Sequence, residues 1–573
     1  MASQVSPGVV LRERDLTNAN IVGASSITAA FASSFQKGPI GEIVSISSLK
    51  DLISTFGSPQ EANAEDFLVA SEYLGYGGSL AVVRAETGVL NASSSTAVLV
   101  RGEADWAAGV GGSERFLSRS AGTHGNALLV AAVDRGADQI LTLASAPATT
   151  AADTAFSTVS GKTGRIYSWD AATKELGVIL TDPTTLLTTA EIFDEPGDGV
   201  VTGVTAGAYA GQGSQAGVHT VDPTGGSGTG LRLTVTIDVS GNVTNVAITQ
   251  GGTGYVAAET VTCAAAGLGT GAVLDLTVTI DAVTNDNIAI NNVKDWYTNT
   301  TIGSTGLKLS AIGPRPGTSA FAADRGVSYD EVHIAVIDTT GAVSGAANTI
   351  LERKTFLSKI SDAKSTEGAS IYYKDIVNTE SEYIFHGAAL TGLVEPTQGG
   401  GGEAWGQAAS ALSSGDKFLL AAVNTSALTG GTDDYAYTAG EVSAAYDLFA
   451  DTEETEIDFL LMGGSMAAEA DTLTKAQKVV AIAAARKDCV AFVSPHKYNQ
   501  IGSGGSALSA ADQRTNTINF FNSVTSSSYA VLDSGYKYMY DRFNDKYRYV
   551  ACNGDVAGLC VNVSETVADW ISP

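Results

Sequence analysis

The sequence has 573 residues and carries 33 lysines and arginines against 61 aspartates and glutamates, a formal net charge of −28 at pH 7. This charge repels DNA, RNA and anionic membranes, which argues against nucleic acid as a partner. Only 16% of the residues are charged, compared with about 25% in ordinary soluble domains. Small neutral residues, among them 64 glycines, take their place, and such a composition favours a protein that packs against copies of itself.

The lack of a recognisable targeting pattern and the sparse cysteines both favour synthesis in a reducing cytosol. No apolar run approaches the roughly 18 residues of a membrane-spanning helix, and residues 1–7 lack the pattern of a signal region. We therefore expect a soluble chain that is made in a cytosol. The cysteines are too sparse for a disulfide scaffold, so we expect reduced core residues at Cys263, Cys489, Cys552 and Cys560.

The first 86 residues are predicted to hold an extended arm, a strand, two helices and a second strand. Residues 1–20 are assigned to the arm, because Pro7-Gly8 opens an extended run without helical spacing. Ser47 or Ser48 can cap the first helix, and a glycine ends each helix. The apolar positions that define these helices and the closing strand are Leu49, Leu52, Ile53 and Phe56, then Phe67, Leu68, Ala70, Tyr73 and Leu74, and finally Leu80–Val83.

The C-terminal part of the chain has a similar α/β pattern. Residues 456–494 are predicted to form a β-α-β unit, and a tyrosine-rich hairpin follows it. The predicted elements are Ile457–Met462, Leu473–Lys487, Cys489–Val493 and the hairpin strands Tyr536–Asp541 and Lys546–Val550. Two α/β segments at opposite ends of a chain usually pack together, so we expect residues 21–86 and 430–573 to form one discontinuous core.

The middle of the chain is predicted to be inserted into that core. We expect an α+β outer domain over residues 87–196, a Gly-rich all-β insertion over 197–281 and a middle domain over 282–429. Within the insertion, Gly225–Gly230 and Gly267–Gly271 each precede a similar strand of Leu, Thr, Val and Ile, a weak internal duplication. The predicted fold class is therefore a discontinuous α/β core domain with inserted β-rich outer domains, α+β overall.

Motifs for catalysis and for cofactor or metal binding are incomplete. Gly161–Thr163 resembles the end of a phosphate-binding loop, but Phe156 stands where that motif needs its first glycine. Gly502–Ala507 follows a loop and not a strand, as a dinucleotide site would require. The acidic run 451–458 lacks the spacing of a calcium loop and is predicted to be a solvated approach to the next strand. The five histidines are far apart. We expect no enzymatic activity, no cofactor and no metal site.

A series of short motifs runs along most of the chain. They are Ser6–Glu13, Gly38–Glu42, Ser47–Leu52, Phe56–Gly57, Gly77–Arg84, Ser118–Leu128, Gly313–Gly326, Asp330–Asp338, Ser361–Gly368 and Arg486–Pro495. In this combination and order they resemble the tail sheath proteins of contractile-tailed bacteriophages, and those between 313 and 368 resemble the branch found in large myoviruses. Residues 197–281 fall outside the resemblance and look like a β decoration appended to phage structural proteins.

The resemblance implies a structural function. Sheath subunits of this family stack as six-membered rings around a tail tube and contract to drive the tube through the host envelope. The implied partners are further copies of the chain, the tail tube protein, and baseplate and tail terminator proteins, without nucleic acid or membrane insertion. The implied location is the virion tail, after assembly in the host cytoplasm. Arms of family members add a strand to a neighbouring subunit, and we expect Pro7, Gly8, Val9, Val10 and Leu11 to form such a subunit-linking arm.

Two other functions stay open at this point. One is the sheath of a phage-derived secretion or bacteriocin machine, and the other is an unrelated β-rich virion surface or decoration protein. A further expectation concerns Trp570–Pro573, which resembles a family motif that a C-terminal linking arm follows. We expect that arm to be missing from this sequence and the 573-residue chain to stay monomeric.

Overall fold

The computed structural model describes residues 27–566, apart from 148–149, 153, 195–198, 210–215, 270–273, 285–286, 389, 391–402, 419–421 and 503–504. Within these ranges the strands are β1 (Thr28–Ser33), β2 (Ile43–Ile46), β3 (Ser79–Arg84), β4 (Phe116–Ser118), β5 (Leu128–Val133), β6 (Gln139–Leu143), β7 (Ala155–Thr158), β8 (Thr163–Asp170), β9 (Glu175–Leu180), β10 (Ile192–Asp194), β11 (Val200–Ala206), β12 (Gly217–Val221), β13 (Thr229–Ile237), β14 (Val243–Thr253), β15 (Thr260–Cys263), β16 (Leu276–Thr284), β17 (Ile288–Asp295), β18 (Glu331–Asp338), β19 (Thr349–Ser358), β20 (Ile384–His386), β21 (Val423–Ala427), β22 (Phe459–Leu461), β23 (Val490–Val493), β24 (Ala530–Leu532), β25 (Tyr536–Asp541) and β26 (Lys546–Ala551). The α-helices are α1 (Leu49–Phe56), α2 (Ala64–Gly75), α3 (Glu103–Ala107), α4 (Trp296–Asn299), α5 (Ala320–Ala323), α6 (Tyr373–Glu380), α7 (Ala439–Asp447), α8 (Glu469–Arg486), α9 (Ala510–Asn522) and α10 (Asn553–Thr566). The protein is thus a mixed α/β structure.

Both parts of the chain contribute strands to one six-stranded sheet, in the order β2-β3-β1-β22-β23-β24. Ala29 of β1 lies beside Leu80 on one side and Phe459 on the other, so strands distant in sequence are direct neighbours. Every neighbouring pair is parallel except β2 with β3. Alternate residues of β1 enter two hydrophobic clusters, one shared with α7 and α8 and one shared with α1, α2 and α10. The sheet is therefore covered by helices on both faces, as parallel strands require.

Local sequence signals account for the helices of this sheet. The Ser48 hydroxyl accepts the N–H of Asp51 at 3.2 Å at the start of α1, and Gly57 ends the helix in the left-handed region at φ 83°. This confirms the predicted cap and stop. The β-α-β unit is also confirmed, with β22 and β23 parallel and adjacent. Its helix, α8, begins at Glu469, four residues before the predicted start, because the exposed first turn has no apolar spacing.

The strands between residues 87 and 433 divide among several sheets. β5 pairs with β18 and β21 in a four-stranded sheet with the order β19-β18-β5-β21. β10, β17, β6, β9, β8 and β7 close a barrel. β4 pairs with β20 in a separate two-stranded sheet. The strands of 87–196 are thus divided among three sheets, and β17 of the predicted middle domain belongs to the barrel. Sequence periodicity identifies such strands but not their partners, since pairing across a long insertion leaves no local signal.

The two ends of each inserted segment lie next to each other in the unit into which the segment is inserted. Leu90 and Thr432 form a bridge where the chain leaves and rejoins the core. Gln139 pairs with Asp295 at the base of the barrel, and Phe193 pairs with Ile288 where the Gly-rich segment departs. The insertions are therefore nested along the chain. The Gly-rich segment is inserted between two strands of the barrel, the barrel is inserted into the sequence of the β5–β18 unit, and that unit is inserted into the sequence of the core.

The described residues of the Gly-rich segment form two three-stranded sheets, β12-β13-β14 and β11-β16-β15. The two repeated sequences form the central strands, β13 and β16. Their alternating Leu, Val and Ile side chains are buried in one common cluster, while the threonines between them face outward. Each repeat thus supplies the middle of one sheet, which gives the sequence duplication a structural counterpart.

A buried polar network joins the two parts of the core. Asp66 of α2 accepts hydrogen bonds from the Ser33 hydroxyl at 2.9 Å, the Tyr437 hydroxyl at 2.6 Å and the Gly464 N–H at 2.6 Å. The Lys475 ammonium lies 3.3 Å from the same carboxylate and also donates to the Tyr437 oxygen at 2.9 Å. Both charged side chains are almost fully buried. Burial raises the pKa of Tyr437, and the neighbouring Asp66 carboxylate adds to that effect.

The cysteines are free, and their positions differ from one another. Cys263 and Cys489 are buried, as expected, and burial raises the pKa of each thiol to about 11. Cys552 and Cys560 are only half-buried, which corrects the expectation of four core residues. They lie on or beside α10, whose one face contacts the sheet while the other is open.

Candidate assembly surface

The tyrosine-rich hairpin predicted from the sequence is formed by β25 and β26, which pair antiparallel along their whole length. The Asp541 carboxylate accepts the backbone N–H of Phe543 at 3.0 Å and of Asn544 at 3.3 Å, and the Asn544 side-chain amide at 2.8 Å. Burial acts to raise the pKa of Asp541, but these donors hold it below its usual value. Asp545 completes the turn with a positive φ of 52°. The Asp-rich turn sequence therefore specifies the hairpin locally.

The inner face of the hairpin is fixed to the core by ion pairs. The Lys537 ammonium lies 2.6 Å from Glu72 of α2 and 2.7 Å from Asp555 of α10. The Arg548 guanidinium lies 2.7 Å from the Glu61 carboxylate just before α2. Hydrogen bonds from Lys546 and from Arg548 hold the pKa of Glu61 below its usual value. The hairpin is thus tied to two helices of the core.

Apolar contacts strengthen this attachment. Leu68 and Val69 of α2 pack against Val550 and Ala551 of β26 in a small buried cluster. The Phe543 ring in the turn meets the ring of Phe67 edge-on, with a centroid distance of 5.7 Å. The inner face is therefore rigid, and its position relative to the core sheet is defined.

The outer face carries a ladder of tyrosines. Tyr538, Tyr540 and Tyr547 are 60%, 46% and 60% exposed. The ring of Tyr547 stacks on that of Tyr538 at 5.3 Å and contacts that of Tyr540 at 5.2 Å, and Tyr549 contacts Tyr538 at 4.7 Å. Contiguous exposed aromatic groups are typical of protein interfaces, where tyrosine is enriched.

The hairpin also presents main-chain groups that are open for pairing. Among the described residues, β25 and β26 pair only with each other, so each strand has one outer edge without a strand partner. Such edges accept an extended segment of another chain as an additional strand, a mode called β-augmentation. The neighbouring edge strand β24 exposes Val531 and Leu532. Together, the hairpin edges and the tyrosine ladder form the candidate assembly surface.

The site residues expected from the sequence lie elsewhere in the chain. Pro7, Gly8, Val9, Val10 and Leu11 of the expected linking arm lie outside the described residues, as does the Trp570–Pro573 motif. The structure therefore places the hairpin but not the arm. Sequence reasoning identified the hairpin and missed its exposed ladder. The alternating tyrosines at 536, 538 and 540 were the available signal, because alternate residues of a strand share one face.

The incomplete motifs occupy ordinary structural positions. Gly161–Thr163 lies in the turn and the first residue of β8 on the barrel, and part of Gly502–Ala507 lies outside the described residues. In the part of the chain that the structure describes, no group of three His, Cys, Asp or Glu side chains could hold a metal ion. Among the helices of that same part, none is long and apolar enough to cross a membrane.

Comparison with known proteins identifies relatives along nearly the whole chain. The tail sheath protein of Enterobacteria phage T4 is 26% identical over 589 aligned residues, which cover 99% of this chain and 74% of the T4 protein. The chain is related to the tail sheath proteins of phages. The tail sheath protein of Salmonella phage ViI is 25% identical over 64% of this chain, and that of Vibrio phage KVP40 is 30% identical over 25% of it.

The alignments with the ViI and KVP40 proteins cover only part of those proteins, and the relationship rests on the sequence comparisons. The chain spans about half of the ViI protein, at 48%, and about a quarter of the KVP40 protein, at 23%. No family model matches the chain. A solved sheath tail protein from Listeria innocua is 14% identical over 30% of each chain with a TM-score of 0.14, too slight a match to bear on the fold.

Proposed function

We propose that this protein is a structural subunit of a contractile tail sheath and that it polymerises as stacked six-membered rings around a tail tube. The observation that carries the proposal is the alignment with the T4 tail sheath protein over 99% of the chain. In this proposal the protein acts in the virion tail and performs no catalysis. Its partners are copies of itself, the tail tube protein, and baseplate and tail terminator proteins.

The hairpin supports the proposal because it is suited to linking subunits. Its inner face is fixed to the core by Lys537 and Arg548, while its two outer edges are open to added strands. The segment Pro7–Leu11 of a neighbouring subunit would supply such a strand. Main-chain hydrogen bonds to a tethered strand persist while the subunit rotates as a rigid body, so rings stay connected during contraction.

The nested topology supports a division of labour within the subunit. The six-stranded sheet and its hairpin would form the polymerising core. The inserted units would project from it, because each is attached through one pair of neighbouring chain crossings. Insertions whose two ends are held together in this way leave the host unit intact at small entropic cost. The Gly-rich segment, attached furthest from the core, would then lie on the outside of the sheath.

The experiment targets the added strand in the full-length gene product. Proline at Val9 and Leu11 removes two N–H donors that face the same neighbour, whereas threonine at the same positions keeps them. We expect V9T/L11T to form tubes in negative-stain electron microscopy and V9P/L11P to sediment as single subunits with an unchanged circular dichroism spectrum. Tubes of normal length from V9P/L11P would exclude this segment as the link.

A further inference from the structure

A second surface of the chain complements the hairpin in charge. Residues 451–456 form an exposed loop that carries the carboxylates of Asp451, Glu453, Glu454 and Glu456. None of these four forms an ion pair among the residues that the structure describes. The loop is therefore an unneutralised acidic surface.

The backbone of this loop is held in place from inside. The Arg486 side chain at the end of α8 is buried, and it donates to the carbonyl oxygens of Phe449 at 2.6 Å, Asp451 at 3.0 Å and Thr455 at 2.9 Å. The Asp488 carboxylate pairs with the same guanidinium at 3.0 Å. Because one rigid cation anchors three carbonyls, the carboxylates are presented outward from a fixed backbone and lose little conformational freedom on binding.

The hairpin has the opposite character. It carries four cations and two carboxylates between residues 536 and 551, in a chain whose net charge is −28. Three of these cations, Lys537, Lys546 and Arg548, already pair with carboxylates, so the charge offered to a partner is that of Arg542. Arg542 is exposed at the turn, where its guanidinium lies over the Phe543 ring, and no ion pair to it is recorded within the described ranges. On the outer face the exposed hydroxyls of Tyr538 and Tyr547 can donate to carboxylates, while the Tyr540 hydroxyl already donates to Asp545 of the same hairpin. Tyrosine and arginine are the residue types that dominate binding energy at interfaces.

We propose that the tyrosine ladder and Arg542 of one subunit bind the acidic loop 451–456 of a second copy. The proposal rests on the proposed sheath function, and it assigns a partner to the outer face of the hairpin, which is distinct from its edges. Loop and ladder are different surfaces of one chain, so the contact is heterologous when each subunit uses its loop on one neighbour and its ladder on another. Repeated heterologous contacts generate rings or helical polymers.

Charge reversal tests this contact by rescue in trans. Arg542→Glu makes the hairpin repel the loop, and E453R/E454R makes the loop repel the hairpin. A mixture of the two variants restores opposite charges at both contacts, because each variant offers the charge that the other now lacks. D324K/E367K reverses two exposed carboxylates outside the surface and is the matched control for net charge.

Self-association is measured by sedimentation velocity of the full-length gene product at low and high salt. We expect each reversal alone to weaken low-salt association by about fivefold or more, the mixture to restore it, and high salt to reduce the differences. Three results would each overturn the contact: reversals that behave like the control, a mixture that stays weak, or a wild-type full-length gene product that does not associate at low salt. Tube formation in electron microscopy is scored separately, so the loss of this contact does not decide the sheath function.

Discussion

Removing the buried cation at Lys475 is expected to weaken the connection between the two parts of the core. Lys475→Met keeps most of the side-chain volume and leaves the Asp66 carboxylate buried with three neutral donors, from Gly464, Ser33 and Tyr437. Removing one partner of a buried ion pair lowers the free energy of unfolding by about 3 to 5 kcal/mol. Because those donors remain, we expect a loss near the lower end, about 3 kcal/mol.

The assay is urea unfolding combined with limited proteolysis. Residues 66 and 475 belong to opposite parts of the chain, so K475M is expected to release an N-terminal fragment ending near residue 86 more readily than wild type. The double variant K475M/D66N is expected to lose less unfolding free energy than the two single variants lose together, because it buries no unpaired charge. Glu86→Gln is the control. The Arg101 and Glu86 side chains are 44% and 47% exposed, so their ion pair contributes less than about 1 kcal/mol to the free energy of unfolding. A loss for K475M no larger than that of E86Q would refute the reasoning.

Three further changes test helix packing, the insertion and pH dependence. Gly554→Ala in α10 is expected to cost about 1 to 3 kcal/mol in urea unfolding, because its Cβ would lie 2.4 Å from the Val69 carbonyl oxygen. Gly440→Ala in α7 meets only a hydroxyl at 3.8 Å and should be close to neutral. Replacing residues 195–287 by a short turn should leave the calorimetric midpoint of the remainder unchanged, because the flanking barrel strands already pair; aggregation would contradict this. Burial lowers the pKa of His386 from 6.5 to about 4, so stability present above pH 6.5 is lost as the pH falls toward 4. At neutral pH, His386→Phe should be less stable than wild type by about 1 kcal/mol because it loses the hydrogen bond to the Arg115 carbonyl oxygen. The wild type loses roughly 3 kcal/mol as the pH falls toward 4 and the variant does not, so the difference should reverse sign in paired urea titrations. A difference that stays constant with pH would contradict the assignment.

Short-range features of the fold were accessible from the sequence. The cap at Ser48, the stop at Gly57 and the turn at Asp541 depend on residues within a few positions of one another. Such features are set by local backbone chemistry. The parallel pairing of β22 and β23 followed from the β-α-β pattern, which has few alternative connections.

Long-range features were not accessible in the same way. Closure of the barrel needs β10 to pair with β17 across the whole Gly-rich segment, and nothing in either strand encodes that partner. The buried pair of Asp66 and Lys475 is likewise formed by two residues that are unremarkable in sequence. For the assembly surface, the sequence predicted the hairpin strands, while the exposure of Tyr538 and Tyr547 depends on which face packs against α2.

Electron cryomicroscopy of the polymer formed by the full-length gene product tests the sheath function most directly. The account predicts hollow tubes built from six-subunit rings, with an extended strand from a neighbouring subunit added to an outer edge of the hairpin at residues 536–551. A preparation that contains only compact particles, or tubes in which both hairpin edges face solvent, would contradict it.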